Sequence, residues 1–327
     1  MCRLRVYLDQ NKWIDLAKAA TGHPDGARFA DVLEIARHGA QAGLAVFPLS
    51  AAHYMETLRT RSGRQRHDVG RLMNVLSRQV TMVSCPDVIP GEIDRAARAR
   101  WGRPTELREV QIFGHGPWHA FQQIPERFHL SDGVKVDDET RARLEGRYTR
   151  LLEEAMVTGP TQDFPYAGID PKADDALRER HAQEERETGE LIRRSNRKGG
   201  DFRQAWLART LVELTGLINE SMLRAGISPE RFVELGKDGM AAFLYDLPVT
   251  SAVFEIRYRR HRDPGLTWNR QDLNDLNTLS VAVVYCDGVV TERHAAGLMR
   301  EARLDQRHST VILTDLAELA KVLVSAA

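Results

Sequence analysis

Cysteine is scarce: 327 residues carry three, at Cys2, Cys85 and Cys286, an odd number with no CxxC pair. They support neither a disulfide framework nor a zinc knuckle, and free thiols in a reducing compartment are the simplest expectation. No apolar run reaches the roughly 18 residues that a membrane-spanning helix needs. The amino terminus, MCRLRVYLDQNKW, lacks the basic-then-apolar layout of a signal peptide, so a cytoplasmic protein is expected. An excess of one charge is also missing, because 46 basic side chains balance 46 acidic ones. That argues against coating nucleic acid through bulk charge and leaves room for a local basic groove. Neither GxxxxGK[ST] nor GxGxxG occurs, so no nucleotide cofactor is expected. No GxSxG elbow supports esterase chemistry. The remaining composition, 42% hydrophobic and 28% charged, is that of a globular protein with a sizeable core. The length fits one large domain, or a domain carrying a second module.

The order of elements is readable at the start. Arg3 to Leu8 (RLRVYL) alternates and then turns apolar, which predicts a short strand. Lys12 to Ala20 has helical spacing of Trp13, Leu16 and Ala20, with Asn11 suited as its N-cap. A second helix follows over 27–42. Leu44 to Leu49 (LAVFPL) is too short for a helix and fits a buried parallel strand. Ser50 opens the helix AAHYMETLRT, another helix covers about 68–76, and QVTMVS (79–84) reads as a third strand. This β-α-β-α-β alternation predicts an α/β fold, a central parallel sheet flanked by helices.

From 90 to 245 the strand signal fades. Pro160 to Asp174 reads as a loop, and Asp175 to Lys198 is so charged that a solvated or partner-facing helix is expected. Phe202 to Leu223 carries Trp206, Leu211, Leu214 and Ile218 on one stripe, an amphipathic helix that must be buried in the chain or against a copy of it. Alternation returns with helices over 248–260 and 272–285, a strand GVVT (288–291), a helix over 292–303, a strand STVILT (309–314) and a closing helix capped by Asp315. The expected organisation is one α/β domain, 1–89 and 246–327, with a large α-helical insertion over 90–245.

Acidic residues fall where an open parallel sheet binds ligands, beyond the carboxyl ends of strands. Asp9 follows the first strand, and Glu56 lies two turns into the helix after the second. Asp272 and Asp275 share a helix face, and Asp287 and Glu292 flank the fourth strand. Taken singly, an aspartate after a strand is most often a turn or cap residue. Taken together, carboxylates at one sheet edge repel unless cations sit between them, and hard ions such as magnesium take oxygen ligands.

VYLDQNKWIDLA, SAAHYMETLR and DLNDLNTLSVAVVYCDGVVTE resemble the successive acidic motifs of PIN-domain ribonucleases. The resemblance covers residues 1–85 and 246–327. It implies a PIN-like central sheet and an insertion that leaves the sheet intact. It also implies a metal-dependent endoribonuclease that uses Mg2+ or Mn2+ and leaves 5′-phosphate and 3′-hydroxyl ends. Asp9 would be the first metal ligand, Glu56 the helix-borne one and Asp272 or Asp275 the third, with the fourth open between Asp287 and Glu292. Asn11 and Thr291, beside these acids, would contact substrate. The family also implies a toxin-like or defence role, single-stranded RNA as substrate, and a homodimer or an inhibitory protein as partner.

Phosphate-binding cations are expected beside the acids, at Arg59, Arg61, Arg64 and Arg66 and at Arg257, Arg259, Arg260 and Arg262. A third cluster is Arg193, Arg194, Arg197 and Lys198. Arg59, Arg61, Arg257 and Arg260 are the favoured members. Tyr258 and Trp268 can stack on bases or pack in the core. His115 and His119 have zinc spacing but sit among Gly114, Gly116 and Pro117, which spoils the helix. His53, one turn before Glu56, reads as a structural histidine. The alternatives are a PIN-like module without catalysis that binds through its helical insertion, and a structure-specific DNA nuclease using the same acids.

Overall fold

The computed structural model describes residues 3–104, 110–122, 134–159, 171–195, 200–263 and 265–325. Its centre is β1 (Leu4–Leu8), whose β-branched and aromatic residues suit a strand buried on both faces. Four parallel strands run in the order β2 (Ala45–Val46), β1, β6 (Gly288–Val290), β7 (Val311–Leu313). Just after β2 the chain passes Phe47 and Pro48 to β3 (Leu49–Ser50), which pairs in parallel with β4 (Val80–Met82). Proline has no N–H to give a ladder, so the segment 45–50 serves β1 with its first half and β4 with its second. An antiparallel β5 (Phe113–His115) closes that edge.

Side chains alternate across β1 and divide the packing in two. Val6 and Leu8 join Val290 and Leu313 in one apolar core. Tyr7 joins Val289 and Ile312 in the other. The first core is covered by α1 (Gln10–Ala20), α2 (Ala30–Gln41), α3 (Ala51–Arg59), α4 (Gly63–Ser77) and the closing helix (Leu316–Ser325). Between β4 and β5 comes α5 (Cys85–Arg100), and a short α6 (Gly116–Ala120) follows β5. Then come α7 (Asp138–Thr158), α8 (Pro171–Arg194), α9 (Gly200–Arg224), α10 (Glu230–Val233) and α11 (Gly236–Tyr245). The chain returns to the sheet through α12 (Pro248–Arg262), α13 (Asp272–Tyr285), α14 (Arg293–Glu301) and α15 (Leu304–His308), and the closing helix is α16. The second core lies under α12, α13 and α14. Among the described residues no single helix is long and apolar enough to cross a membrane; α11 and α12 reach that length only together, across a 105° bend.

Several sequence expectations are corrected in detail. The first helix begins at Gln10 and Asp9 is its N-cap, accepting from the Gln10 amide, so Asn11 lies inside the helix. The 27–42 helix starts as a 3-10 turn (Pro24–Phe29) before α2. The helix expected over 68–76 begins at Gly63. Among the described residues the stretch 90–245 holds one strand, β5, too short and glycine-containing to show a period. Most of the loop expected over 160–174 lies outside the described residues, but Pro171 to Asp174 already belongs to α8.

The charged helix α8 is not a solvated face. Arg178, Ala182, Glu185 and Ile192 form a buried stripe, and the helix packs on α9 and α13. Its fourth stripe position is Gly189, where a Cβ would stand 2.7 Å from His261 Nδ1. Glu185 accepts from Arg257 Nε at 2.9 Å and pairs with His261 Nε2 at 2.7 Å. Arg257 also donates to both oxygens of Glu213, at 2.6 and 3.0 Å, and lies over the Trp206 ring. Burial alone raises a carboxyl pKa, but the His261 and Arg257 contacts outweigh it and hold Glu185 at about 2. Ion pairing thus ties α8, α9 and α12 together where apolar side chains are few. The amphipathic α9 buries Phe202, Trp206, Leu214, Ile218 and Met222 within the chain.

Removing one partner of a buried ion pair leaves the other charge uncompensated, at a cost of about 3–5 kcal/mol. Arg257→Met should therefore lower the urea midpoint sharply relative to Arg194→Met on the exposed face of α8. Equal midpoints for the two variants would show that the network contributes no stability.

Candidate active site

The strand order reverses direction at β1: segment 45–50 and β4 lie to one side, β6 and β7 to the other. A crevice opens beyond the carboxyl ends at such a point, here at the ends of β1 and β6. The ladder continues one step past β1, because the Asp9 amide donates to Val290 O at 2.9 Å. The next residue on β6, Thr291, is buried and donates its hydroxyl to Asp9 Oδ2 at 2.8 Å. The other oxygen, Oδ1, accepts from the Gln10 amide at 2.8 Å. Both oxygens of Asp9 are therefore oriented by the fold. Glu292 follows Thr291 as the N-cap residue of α14, and its Oε1 accepts from Asn11 Nδ2 at 2.9 Å.

Glu56 and Asp275 complete the group. Burial, followed by repulsion from Asp9, raises the Glu56 carboxyl to about 7. Asn274 approaches Glu56 and works in the opposite direction, although its buried Nδ2 makes no well-formed hydrogen bond. Asp275 is open to solvent through the mouth of the crevice, yet protein crowds it on the remaining sides. Desolvation, then the charges of Asp9, Glu56, Asp272 and Glu292, push it up to about 8. Asp9 is itself raised, mainly by burial, with Thr291 opposing and Glu292 adding to the rise. Asp275 thus feels acids from both ends of the chain, Asp9 and Glu56 from the first 56 residues and Asp272 and Glu292 from the last 56. A cavity of about 190 Å3 opens beside them, lined by Asp9, Asp272, Asp275, Glu292, Arg260 and Trp268 among others.

The other expected residues fall elsewhere or are already engaged. Asp287 precedes β6; its amide donates to Arg5 O at 2.9 Å and its Oδ2 accepts from the Arg5 amide at 2.7 Å. It stands at the amino end of the strand, away from Asp9, so of the two candidates for the fourth acid only Glu292 reaches the crevice. Asp272 reaches the cavity, but its Oδ2 accepts from Arg260 Nη2 at 2.6 Å and from the Asn269 amide at 2.7 Å. Arg59 is paired with Asp174 at 2.5 Å and Asp175 at 2.9 Å, and Arg257 is consumed by Glu185 and Glu213. Arg61 is exposed at the α3–α4 turn, and Arg66 is buried on carbonyl oxygens of Gly159 and Thr60. Arg197 and Lys198 lie outside the described residues.

Tyr258 is core, and Trp268 is buried along the cavity. His119 bonds Thr81 and Gln111 O through its two ring nitrogens. His53 accepts from the Ser50 amide and donates to Leu8 O at 2.8 Å; burial lowers it to about 4. It is a neutral peg fastening α3 to the end of β1. Sequence reading missed Asn274, whose signal was its place inside the DLND motif, and His294 on the cavity wall.

The donor set suits a hard divalent ion, since the converging groups are carboxylates with Thr and Asn beside them. As the side chains stand, no three potential ligands among the described residues are placed to grip one ion. A cation drawn between them would relieve their mutual repulsion.

A carboxyl group whose pKa rises on folding holds its proton in the folded state after the unfolded chain has lost it. Stability from that group is present below pH 4.5 and falls as pH rises toward 7. In a chelator, the wild-type melting temperature should therefore fall between about pH 5 and 7, and Glu56→Gln should flatten that decline. Parallel melting curves for the two proteins would contradict this placement of Glu56.

No protein-family model, curated protein or solved structure matches the chain.

Proposed function

We propose that the chain is a PIN-like, divalent-metal-dependent ribonuclease in which Asp9, Glu56, Asp275 and Glu292 hold Mg2+ or Mn2+ beside the phosphate to be cut. One observation carries the reading. Acids from the two ends of the chain meet at the carboxyl edge of a parallel sheet, where its strand order reverses and a cavity opens. Bound there, magnesium or manganese would lower the pKa of a water toward neutrality and offset the charge building on phosphate.

The protein's own part is placement. Thr291 and the Gln10 amide fix the Asp9 carboxylate so that it meets an ion without further loss of rotamer freedom. Asn11 steadies Glu292 from the first turn of α1. Glu56 and Asp275 supply the remaining oxygens, with Glu56 a ligand or a base that orients the attacking water. Asp272 acts through Arg260, keeping that guanidinium at the cavity wall. On this reading, residues 1–89 and 246–327 form the nuclease unit and 90–245 is inserted into it. A toxin-like or defence setting, and an inhibitory partner, follow by analogy with the resembled family.

Asparagine caps helices as well as aspartate does, so Asp9→Asn should keep α1 and the fold. The variant should lose manganese-dependent cleavage of single-stranded RNA by about a hundredfold or more, the scale on which removing groups that stabilise charge acts. Cleavage at the wild-type rate would refute the assignment. Cleavage of single-stranded DNA in preference to RNA would move the substrate class, and no cleavage by the wild type would favour a module that binds without cutting.

A further inference from the structure

Four carboxylates, those of Asp9, Asp272, Asp275 and Glu292, form part of the cavity wall. The rest of its wall is mostly apolar, formed by Ile256, Leu266, Leu276, Leu279, Leu298 and Met299, with Trp268, Arg260 and His294 beside them. Trp268 is 3% exposed, and its indole Nε1 has no hydrogen-bond partner. Arg260 donates through Nη2 to Asp272, while its Nε is buried and unpartnered. Two residues that line one cavity thus each carry an N–H donor without an acceptor, both closed off behind its wall as the side chains stand, so an occupant reaches them when Trp268 or Arg260 turns. A buried donor left unpaired costs free energy, and a hydrocarbon occupant would leave both in that state. An anion would meet the carboxylates at the mouth. A flat, uncharged ring with acceptors on its edge suits the walls and the donors together.

We infer that this cavity receives one unstacked nucleobase of a single-stranded RNA, next to the phosphate held at the carboxylates; this rests on the ribonuclease reading above. A base paired within a duplex cannot leave its stack to enter without an unstacking cost, so single strands are favoured. Trp268 and Arg260 select by donor pattern. Uracil offers two carbonyl acceptors, whereas adenine places an amino donor on the same edge. Uridine is therefore preferred over adenosine at the slot. The base-reading residues come from α12, from the turn before α13 and from α14. The cutting residues come from the ends of β1 and β6, from α3 and from the first turn of α13.

The test is equilibrium binding, read by fluorescence anisotropy in a chelator so that no cutting occurs. The probes are labelled twelve-nucleotide oligouridine, oligoadenosine and an RNA duplex. Ala295 lines the cavity from a half-buried position on α14, and Ala295→Leu fills the slot with little risk to the fold. Wild type should prefer oligouridine to both other probes. Ala295→Leu should weaken oligouridine binding about tenfold, the scale of one lost base contact, and leave the duplex unchanged. Trp268→Phe keeps the ring and deletes the N–H, and should narrow the uridine-to-adenosine ratio. Wild-type oligouridine affinity in Ala295→Leu, or an unaltered ratio in Trp268→Phe, would overturn the slot. If that happened while Asp9→Asn still abolished cleavage, the nuclease would stand without the slot. Slot-dependent binding in a protein that never cuts would leave the slot and remove the nuclease.

Discussion

Parallel pairing of β1 with β6 is the contact on which the rest depends. It joins the sixth to eighth residues of the chain to residues 288–290 and fixes both strands in the same direction, so that their carboxyl ends coincide. The Thr291 hydroxyl then reaches Asp9 across 282 positions of sequence. Without that register, Asp9 and Glu292 would be two unrelated helix caps. With it, they are neighbours that repel each other over a crevice. Three of the acids also stand at helix starts, since Asp9 and Glu292 occupy the N-cap positions of α1 and α14 and Asp275 lies in the first turn of α13. The helix amino ends partly offset the negative charge gathered there.

The helices away from the sheet are held by a different balance of forces. Around Glu185 the chain buries charge rather than hydrocarbon. The site is stable because Arg257, His261 and Glu213 satisfy one another while Trp206 covers both Arg257 and His261. A second network, Arg59 and Arg178 with Asp174 and Asp175, clamps the start of α8 to the end of α3. Arginines that looked free in the sequence are consumed by these networks. The two networks also fasten α8 to α3 and α12, elements on either side of the crevice.

Local pattern made much of the sheet legible. RLRVYL, GVVT and STVILT announced themselves by composition, and Asp9, Glu56 and Asp275 stood where an open sheet uses acids. Three features were not legible, each because a distant partner decides it. Asp287 and Glu292 flank the same short strand, and only the direction of that strand in the sheet separates the end facing the crevice from the end facing away. Arg59, Arg257 and Arg260 gave the local signal of phosphate contacts, but Arg59 and Arg257 found carboxylates 44 to 116 residues away, and Arg260 found one 12 residues on. The α8 stripe was polar, so periodicity of apolar residues could not reveal its burial. Asp9 was read as an acid and Asn11 as the cap, whereas one aspartate fills both roles.

The central claim is that carboxylates from both ends of the chain act on one divalent ion. Isothermal titration of manganese into wild type and Asp275→Asn measures this directly. Saturable binding by wild type, with protons released on binding and the affinity largely lost in Asp275→Asn, is the predicted result. Equal manganese affinity in the two proteins, or none in either, would contradict the account.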